Sequence, residues 1–324
     1  MKNICVFITL LLLTKFASAE IRTVESCGRN LSVEKTPSRA ISHDINLTEM
    51  MFALELQGQM VGYTGISGWQ KLTPEFKKSA GSLPQLAEKT PTIETLLAVN
   101  ADFFFAGWNY GMRAGGPLTP STLKPFDITV YELTESCIHI MKKNPSSFND
   151  VYQDILNLGV LFDVEPRAEK LVNQLKVEIS KVEAATKHIQ HPVKVFLYDS
   201  GKNAPFTAGQ YAIPNAMIEA AGGTNILNDI QSSWSRTNWE TVVERNPDII
   251  IIVNYGKTTA KQKIAFLNAH PALSDVNAIK NRRFVTLEYS EATPGIRNVE
   301  ATQRLAKAFY PKEFATNTLQ VKPQ

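Results

Sequence analysis

The sequence predicts a two-lobed α/β protein with parallel-type central sheets, a single long helix joining the lobes and a ligand cleft between them. Three observations carry that prediction. Residues 94–103, Glu-Thr-Leu-Leu-Ala-Val-Asn-Ala-Asp-Phe, align without a gap on residues 240–249, Glu-Thr-Val-Val-Glu-Arg-Asn-Pro-Asp-Ile, and an apolar strand follows each copy. Strand-like and helical patterns alternate through both halves, the mark of a parallel sheet covered on both faces. Between the halves lies a mainly helical stretch. The copies start 146 residues apart, far beyond the periods of roughly 20–50 residues of solenoids and propellers, so they mark equivalent positions in two similar lobes. Paired lobes place a binding cleft between them.

Residues 1–19 read as a signal peptide. Lys2 gives a positive start, residues 4–13 form an apolar run about half as long as a membrane span needs, and Ala17-Ser18-Ala19 is a small-residue cleavage site. Cleavage leaves 305 residues starting at Glu20 and, by removing Lys2 and Lys15, lowers the formal charge from +3 to +1. That balance gives no electrostatic case for nucleic acid or an anionic membrane as partner. Cys27, preceded by Thr-Val-Glu-Ser, is in the wrong context for lipid attachment, so the mature chain is expected free in a periplasm. Cys27 and Cys137 survive processing. In an oxidising compartment a disulfide between them within the first lobe is expected, two separate buried thiols being the other reading. Two cysteines with no paired-histidine motif make no zinc site.

The first lobe covers 20–147. Residues 40–43 read as a strand, and Asn46-Leu47-Thr48-Glu49 caps a helix carrying Met50, Met51, Ala53, Leu54 and Leu56 that Gly58 stops. A strand at 61–63, a helix opened by Thr92-Ile93-Glu94, and strands at 103–106 and 128–133 follow. The connecting region, 148–190, holds a helix over 148–158, an interruption at 161–166 and a longer helix over 167–187. Ala168, Leu171, Val172, Leu175, Ile179 and Val182 give that helix an apolar stripe, and at 1.5 Å per residue it spans roughly 30 Å, a strut and not a loose linker. His188 and His191 lie just past it at a loop entry, a pattern weak for a metal pair. The second lobe, 191–324, reads as strand 193–198, helix 214–221 stopped by Gly222-Gly223, helix 240–245, strand 249–253, helix 266–270, strand 283–287 and closing helix 298–309.

These segments, in this order, resemble the periplasmic substrate-binding proteins of the iron-siderophore, cobalamin and haem class of ABC importers. The residues that carry the resemblance are Asn46-Leu47-Thr48-Glu49-Met50-Met51-Phe52-Ala53-Leu54, the stretch 92–102, Asn203-Ala204-Pro205-Phe206-Thr207-Ala208-Gly209, Ala221-Gly222-Gly223-Thr224-Asn225-Ile226 and Asn246-Pro247-Asp248. The segment 205–226 is most like the cobalamin-binding members. The resemblance implies a monomeric binder and not an enzyme, without a resident cofactor or metal. Its ligand would be a small-molecule metal chelate of the ferric siderophore type, with cobalamin or haem as the alternative. Its partner would be an ABC permease dimer with a separate ATPase. The resemblance also gives Glu94 and Glu240 the role of docking residues, one carboxylate per lobe for a permease that presents the same basic pocket twice. The competing reading is that each is merely a first-turn acid favoured by the helix dipole.

Ligand-contacting residues are expected on the loops after strand C-terminal ends. Those loops supply Trp69, then Trp108, Tyr110 and Arg113, then Tyr211, Tyr255, Tyr289 and Arg297, while Trp234 and Arg236 stand just before the second docking helix. Aromatic faces suit flat chelates and arginine forks hold anionic oxygens, so Arg113, Arg236 and Arg297 favour an anionic ferric chelate over a corrin. Trp239 reads as packing and His139 as a strand or core residue. An exported hydrolase is the competing class. Neither a Gly-x-Ser-x-Gly elbow nor a His-Glu-x-x-His pair occurs, and Asp199-Ser200-Gly201 offers a serine with no histidine in an interpretable relation. No complete Gly-x-x-x-x-Gly-Lys-Ser/Thr phosphate loop occurs in the chain, so ATP use is assigned to another subunit. A free metal-ion binder would want convergent histidines and carboxylates where these loops offer aromatics and arginines.

Overall fold

A computed structural model of the chain describes residues 21–66 and 72–316, so the expected leader and Trp69 lie outside the described residues. The first element is a hairpin that the sequence reading did not include. β1 (Arg22–Ser26) and β2 (Arg29–Val33) pair antiparallel across Cys27 and Gly28, which sit at φ 44° and 74°. Two successive positive φ angles give the turn whose twist matches right-handed strands.

The N-terminal lobe is built on β3 (Ala40–His43), β4 (Met60–Thr64), β5 (Gln85–Ala87), β6 (Phe103–Trp108), the short β7 (Gly111–Met112) and β8 (Thr129–Glu132). All pair in parallel: β3 lies between β4 and β6, β5 lies outside β4, and β6 pairs β8 along its body and β7 at its end. Every residue of β6 is buried, as a strand covered on both faces must be. Helices α1 (Ile45–Ala53) and α2 (Ile93–Ala98) are among its connections. α1 ends at Ala53 and not at Gly58, because Glu55 turns to φ 52° and a 3-10 turn over Gln57–Gln59 follows.

The connecting helices are α3 (Phe148–Leu161) and α4 (Glu165–Thr186). The 22 residues of α4 span about 33 Å. They cross close to α3 at Gly159, where a Cβ would stand 2.5 Å from the Ala168 Cβ. In the C-terminal lobe, β9 (Lys194–Tyr198), β11 (Thr224–Asn225), β13 (Ile249–Asn254) and β14 (Phe284–Glu288) form a parallel sheet in the order β11-β9-β13-β14. A separate antiparallel ribbon joins β10 (Phe206–Ala208) to β12 (Trp234–Arg236). Helices α5 (Ile213–Ala220), α6 (Trp239–Arg245), α7 (Ala260–Ala269) and α8 (Asn298–Phe309) complete the lobe. α7 starts well before residue 266 because Thr259 and Gln262 form a capping box.

The strut does more than connect. One apolar cluster runs from the first sheet through Leu158, Ile179 and Val182 to Val195, Met217 and Phe309, so the lobes share a core along α4. Among the described residues no helix is long and apolar enough to cross a membrane.

Candidate functional site

The two sheets bring the C-terminal ends of their strands together. β3 ends in His43, and the next residue, Asp44, adopts φ 73° and ψ 156°. A non-glycine residue there is strained, a cost met with at ligand sites. Asp44 Oδ1 accepts from the Ile45 amide, capping α1, and Oδ2 accepts from the Tyr289 hydroxyl of the opposite lobe at 2.7 Å. β9 is followed by Asp199, whose carboxylate accepts from the Tyr255 hydroxyl at 2.6 Å and the Ser200 hydroxyl at 2.8 Å. Beneath them the Lys263 ammonium donates to the carbonyls of Asp199 and Val253 and lies 4.4 Å from the Tyr255 ring centre. Tyr255 and Tyr289 meet edge to face at 5.6 Å, and Phe206 stacks on Trp234 at 6.0 Å.

Two adjoining cavities result, in the size range of small-molecule sites. One, of about 320 Å³, lies between the lobes against Tyr110, His139, Asp199, Phe206, Trp234 and Tyr255. The other, of about 300 Å³, reaches into the N-terminal lobe along His43, Asp44, Lys89 and Met112. Asn109, Arg113 and Tyr289 line both. A broader groove of about 900 Å³ runs along α3, α4 and α5, but no strand end reaches it.

Burial sets the electrostatics. It holds the His43 imidazole down at about 4, so the ring is neutral at neutral pH, and it lowers His139 too. It raises the Asp199 carboxyl, which the Tyr255 and Ser200 hydroxyls and Lys263 pull back. The phenols of Tyr110 and Tyr289 are pushed well above their ordinary range by burial and then by the carboxylates beside them, so they stay protonated donors. Arg113 is exposed and makes no ion pair among the described residues. The cleft is therefore aromatic and hydroxyl-rich, with one open guanidinium at its shared wall.

Of the residues singled out from the sequence, Tyr110, Arg113, Trp234, Tyr255 and Tyr289 line these cavities. Trp108 is not brought there: it is buried, and its indole donates to Glu132 at 3.0 Å. Arg297 makes a two-pronged ion pair with Glu49, both bonds 2.6 Å, and so ties the lobes together. Arg236 donates to the Ala204 carbonyl and lies 5.9 Å from the Phe206 ring, behind the cleft wall. Tyr211 lines neither cavity and bonds through its backbone to Ser146 and Ser232. His139 stands in a 3-10 turn (Thr134–His139) and not in a strand; its Nε2 meets the Asn109 amide at 3.1 Å on the cavity wall. Trp239 packs on Phe196, Tyr198 and Phe266.

The sequence reading missed Asp44, Asn109, His139, Phe206 and Asp199 as cleft residues. Asp44 and Asp199 directly follow strands β3 and β9, so the strand-end rule applied to acids as well as aromatics finds both. Ser200, weighed as a nucleophile, gives its hydroxyl to Asp199.

Away from the cleft, Glu94 and Glu240 are both exposed in the first turns of α2 and α6. Cys27 and Cys137 form a disulfide, which ties the first hairpin to the 3-10 turn carrying His139.

The fold and the cleft define a two-lobed binding protein, and the chain belongs to the periplasmic binding protein family, whose model matches residues 46–290. It is 24% identical over 294 residues to an uncharacterised ABC transporter substrate-binding lipoprotein of Bacillus subtilis, covering 90% of this chain and 85% of that one. It is 26% identical over 221 residues to the vitamin B12-binding protein of Pectobacterium atrosepticum, covering 67% of this chain and 71% of that one. Among solved structures it superposes on a periplasmic binding protein from Veillonella parvula with a TM-score of 0.78 and 26% identity, covering 90% and 98% of the two chains.

Proposed function

We propose that this chain is the receptor of an ABC importer, capturing an iron-siderophore-type chelate in the cleft and passing it to an inner-membrane permease dimer powered by a separate ATPase. One observation carries the ligand class: two adjoining cavities walled by Tyr110, Trp234, Tyr255 and Tyr289 share the open guanidinium of Arg113. Aromatic walls take the flat or apolar part of a chelate, and Arg113 meets its anionic oxygens. Delivery is through Glu94 and Glu240, exposed at matching positions of the two lobes. The leader of residues 1–19 releases the mature chain into the periplasm without a lipid anchor.

Cobalamin or haem is the second reading. It gains from Arg297, paired with Glu49, and Arg236, held behind the cleft wall, which leave one of the three arginines in the cleft, and from the likeness to a vitamin B12-binding protein. Tryptophan fluorescence separates the readings. The mature protein and Arg113→Ala are titrated with a ferric catecholate, a ferric hydroxamate, haemin and cyanocobalamin. Saturable quenching by a ferric siderophore, weakened on the order of tenfold or more by Arg113→Ala, supports the proposal. Saturation by cyanocobalamin alone, indifferent to Arg113→Ala, replaces it with the second reading, and no saturable response from any chelate overturns both.

A further inference from the structure

Helix α5 begins without a cap of its own. Its N-cap residue is Ala212, which has no side chain to offer, and Pro214 brings no amide, so Ile213 supplies the first free N–H of the helix. That N–H is filled from the other lobe: Glu135 Oε2 accepts it at 2.6 Å. Glu135 sits in the 3-10 turn Thr134–His139 and is 1% exposed. Its second oxygen lies 3.5 Å from the Tyr110 hydroxyl, and that hydroxyl shares a cavity wall with Trp234 of the C-terminal lobe, whose indole favours its charged form. One buried carboxyl thus touches a helix of one lobe and, through Tyr110 and Trp234, both walls of the larger cavity. Next to it Ser146 grips the same C-terminal loop, its amide on the Gln210 carbonyl and its hydroxyl on the Tyr211 carbonyl.

We propose that Glu135 is the positioning residue of the cleft: it caps α5 from across the lobe junction and holds Tyr110 and Trp234 in register with that cap. Among polar groups facing it are Asp150 and Asp154 of α3, Lys143 of the loop before that helix, and Tyr110. Burial is the main cause lifting its carboxyl to about 8, with Asp150 and Asp154 adding to the lift and the Ile213 amide and Lys143 opposing it. The group is then mainly neutral at pH 7, which a buried carboxyl tolerates better than charge. The neutral form still accepts from Ile213.

The inference goes beyond the receptor reading and is tested without ligand, so the two fail separately. Amide hydrogen exchange is followed by NMR in wild type, Glu135→Gln and Glu135→Ala, alongside thermal midpoints and Trp234 emission across pH. In Glu135→Ala the Ile213 amide should lose protection on the order of tenfold or more, while the amides of β6 keep theirs. Glu135→Gln, which keeps an acceptor oxygen, should restore it near pH 6. The folded carboxyl titrates above its unfolded value, so its stabilisation is full below about 4.5 and lost as pH rises towards about 8. The thermal midpoint of wild type relative to Glu135→Gln should therefore fall across that window and level off above it, and the pH step in Trp234 emission should vanish in Glu135→Gln. An Ile213 amide equally protected in Glu135→Ala, or a difference between wild type and Glu135→Gln that is constant with pH, would overturn the proposal. Should Glu135→Ala fail to fold, wild type against Glu135→Gln decides alone.

Discussion

The two copies of the duplicated segment, one per lobe, differ least where they carry structure. In the first, Thr92 caps α2 through the Thr95 amide, Asn100 ends the crossover at φ 47°, and Asp102 accepts from the Ser38 amide and hydroxyl and the Arg39 amide. In the second, Asn238 caps α6 through the Thr241 amide, Asn246 turns at φ 45°, and Asp248 accepts from the Lys194 amide and the Asn277 side chain. Both aspartates also donate their own amides to the foot of the neighbouring strand, at Arg39 and Lys194. Asn, Asp and the cap-proximal Thr recur because the same helix-to-strand crossover is built twice. Glu94 and Glu240 share that register yet stay exposed. Hydrogen bonds from Thr92 and from its own backbone lower the Glu94 carboxyl, as the helix-dipole reading expects, so the docking proposal is decided by uptake and not by exposure.

The lobes differ most in how they are held. Only the N-terminal lobe carries the disulfide among the described residues, closing a loop across a sequence separation of 110. Replacing Cys27 and Cys137 with serine should cost about 4 kcal/mol in chemical denaturation. A loss below about 1 kcal/mol would put the lobes on equal footing. Next in size is Asp102→Ala, expected to cost about 2 kcal/mol, against about 1 kcal/mol for Asp248→Ala, whose foothold has fewer bonds. Urea midpoints in the reverse order would break the comparison. Comparable to Asp248→Ala are Asn100→Ala and Asn246→Ala, each costing about 1 kcal/mol for a left-handed turn. Asn246 should cost slightly more because its Oδ1 also accepts from the Asn277 amide.

A pH test sharpens the same contrast. The buried Asp154 of α3, bonded to Thr134 and Tyr131 of the N-terminal lobe, is lifted by burial to about 7 against those hydrogen bonds. Its folded value exceeds its unfolded one, so its contribution is complete below about 4 and is lost as pH rises through about 7. Asp154→Asn should remove that fall from the stability profile, and an unchanged profile would count against it. His43, lowered to about 4, acts in the opposite sense, gaining stability as pH rises from about 4 to about 6.5.

Much of the fold was legible because it rests on local pattern. The strands read at 40–43, 103–106 and 249–253 and the closing helix at 298–309 agree with the structure to within two residues. The cleft was legible where strand ends alone place a residue, as for Tyr110, Tyr255 and Tyr289. It was illegible where the partner lies far along the chain. Arg297 left the cleft for Glu49, 248 residues away, and Trp108 turned inward to Glu132. Glu135 gains its capping role only from Ile213, 78 residues distant, and the Asp44–Tyr289 bond across the cleft spans 245. No periodicity encodes such pairings.

The most direct test of the central claim is uptake of the radiolabelled chelate by cells that depend on this chain for it, supplied as wild type, Glu94→Ala, Glu240→Ala or the double variant. Each single change should reduce uptake on the order of tenfold and the double change should abolish it, with ligand affinity and thermal midpoint unaltered. Full uptake by the double variant would contradict the account, and so would a loss of ligand affinity that explained the defect.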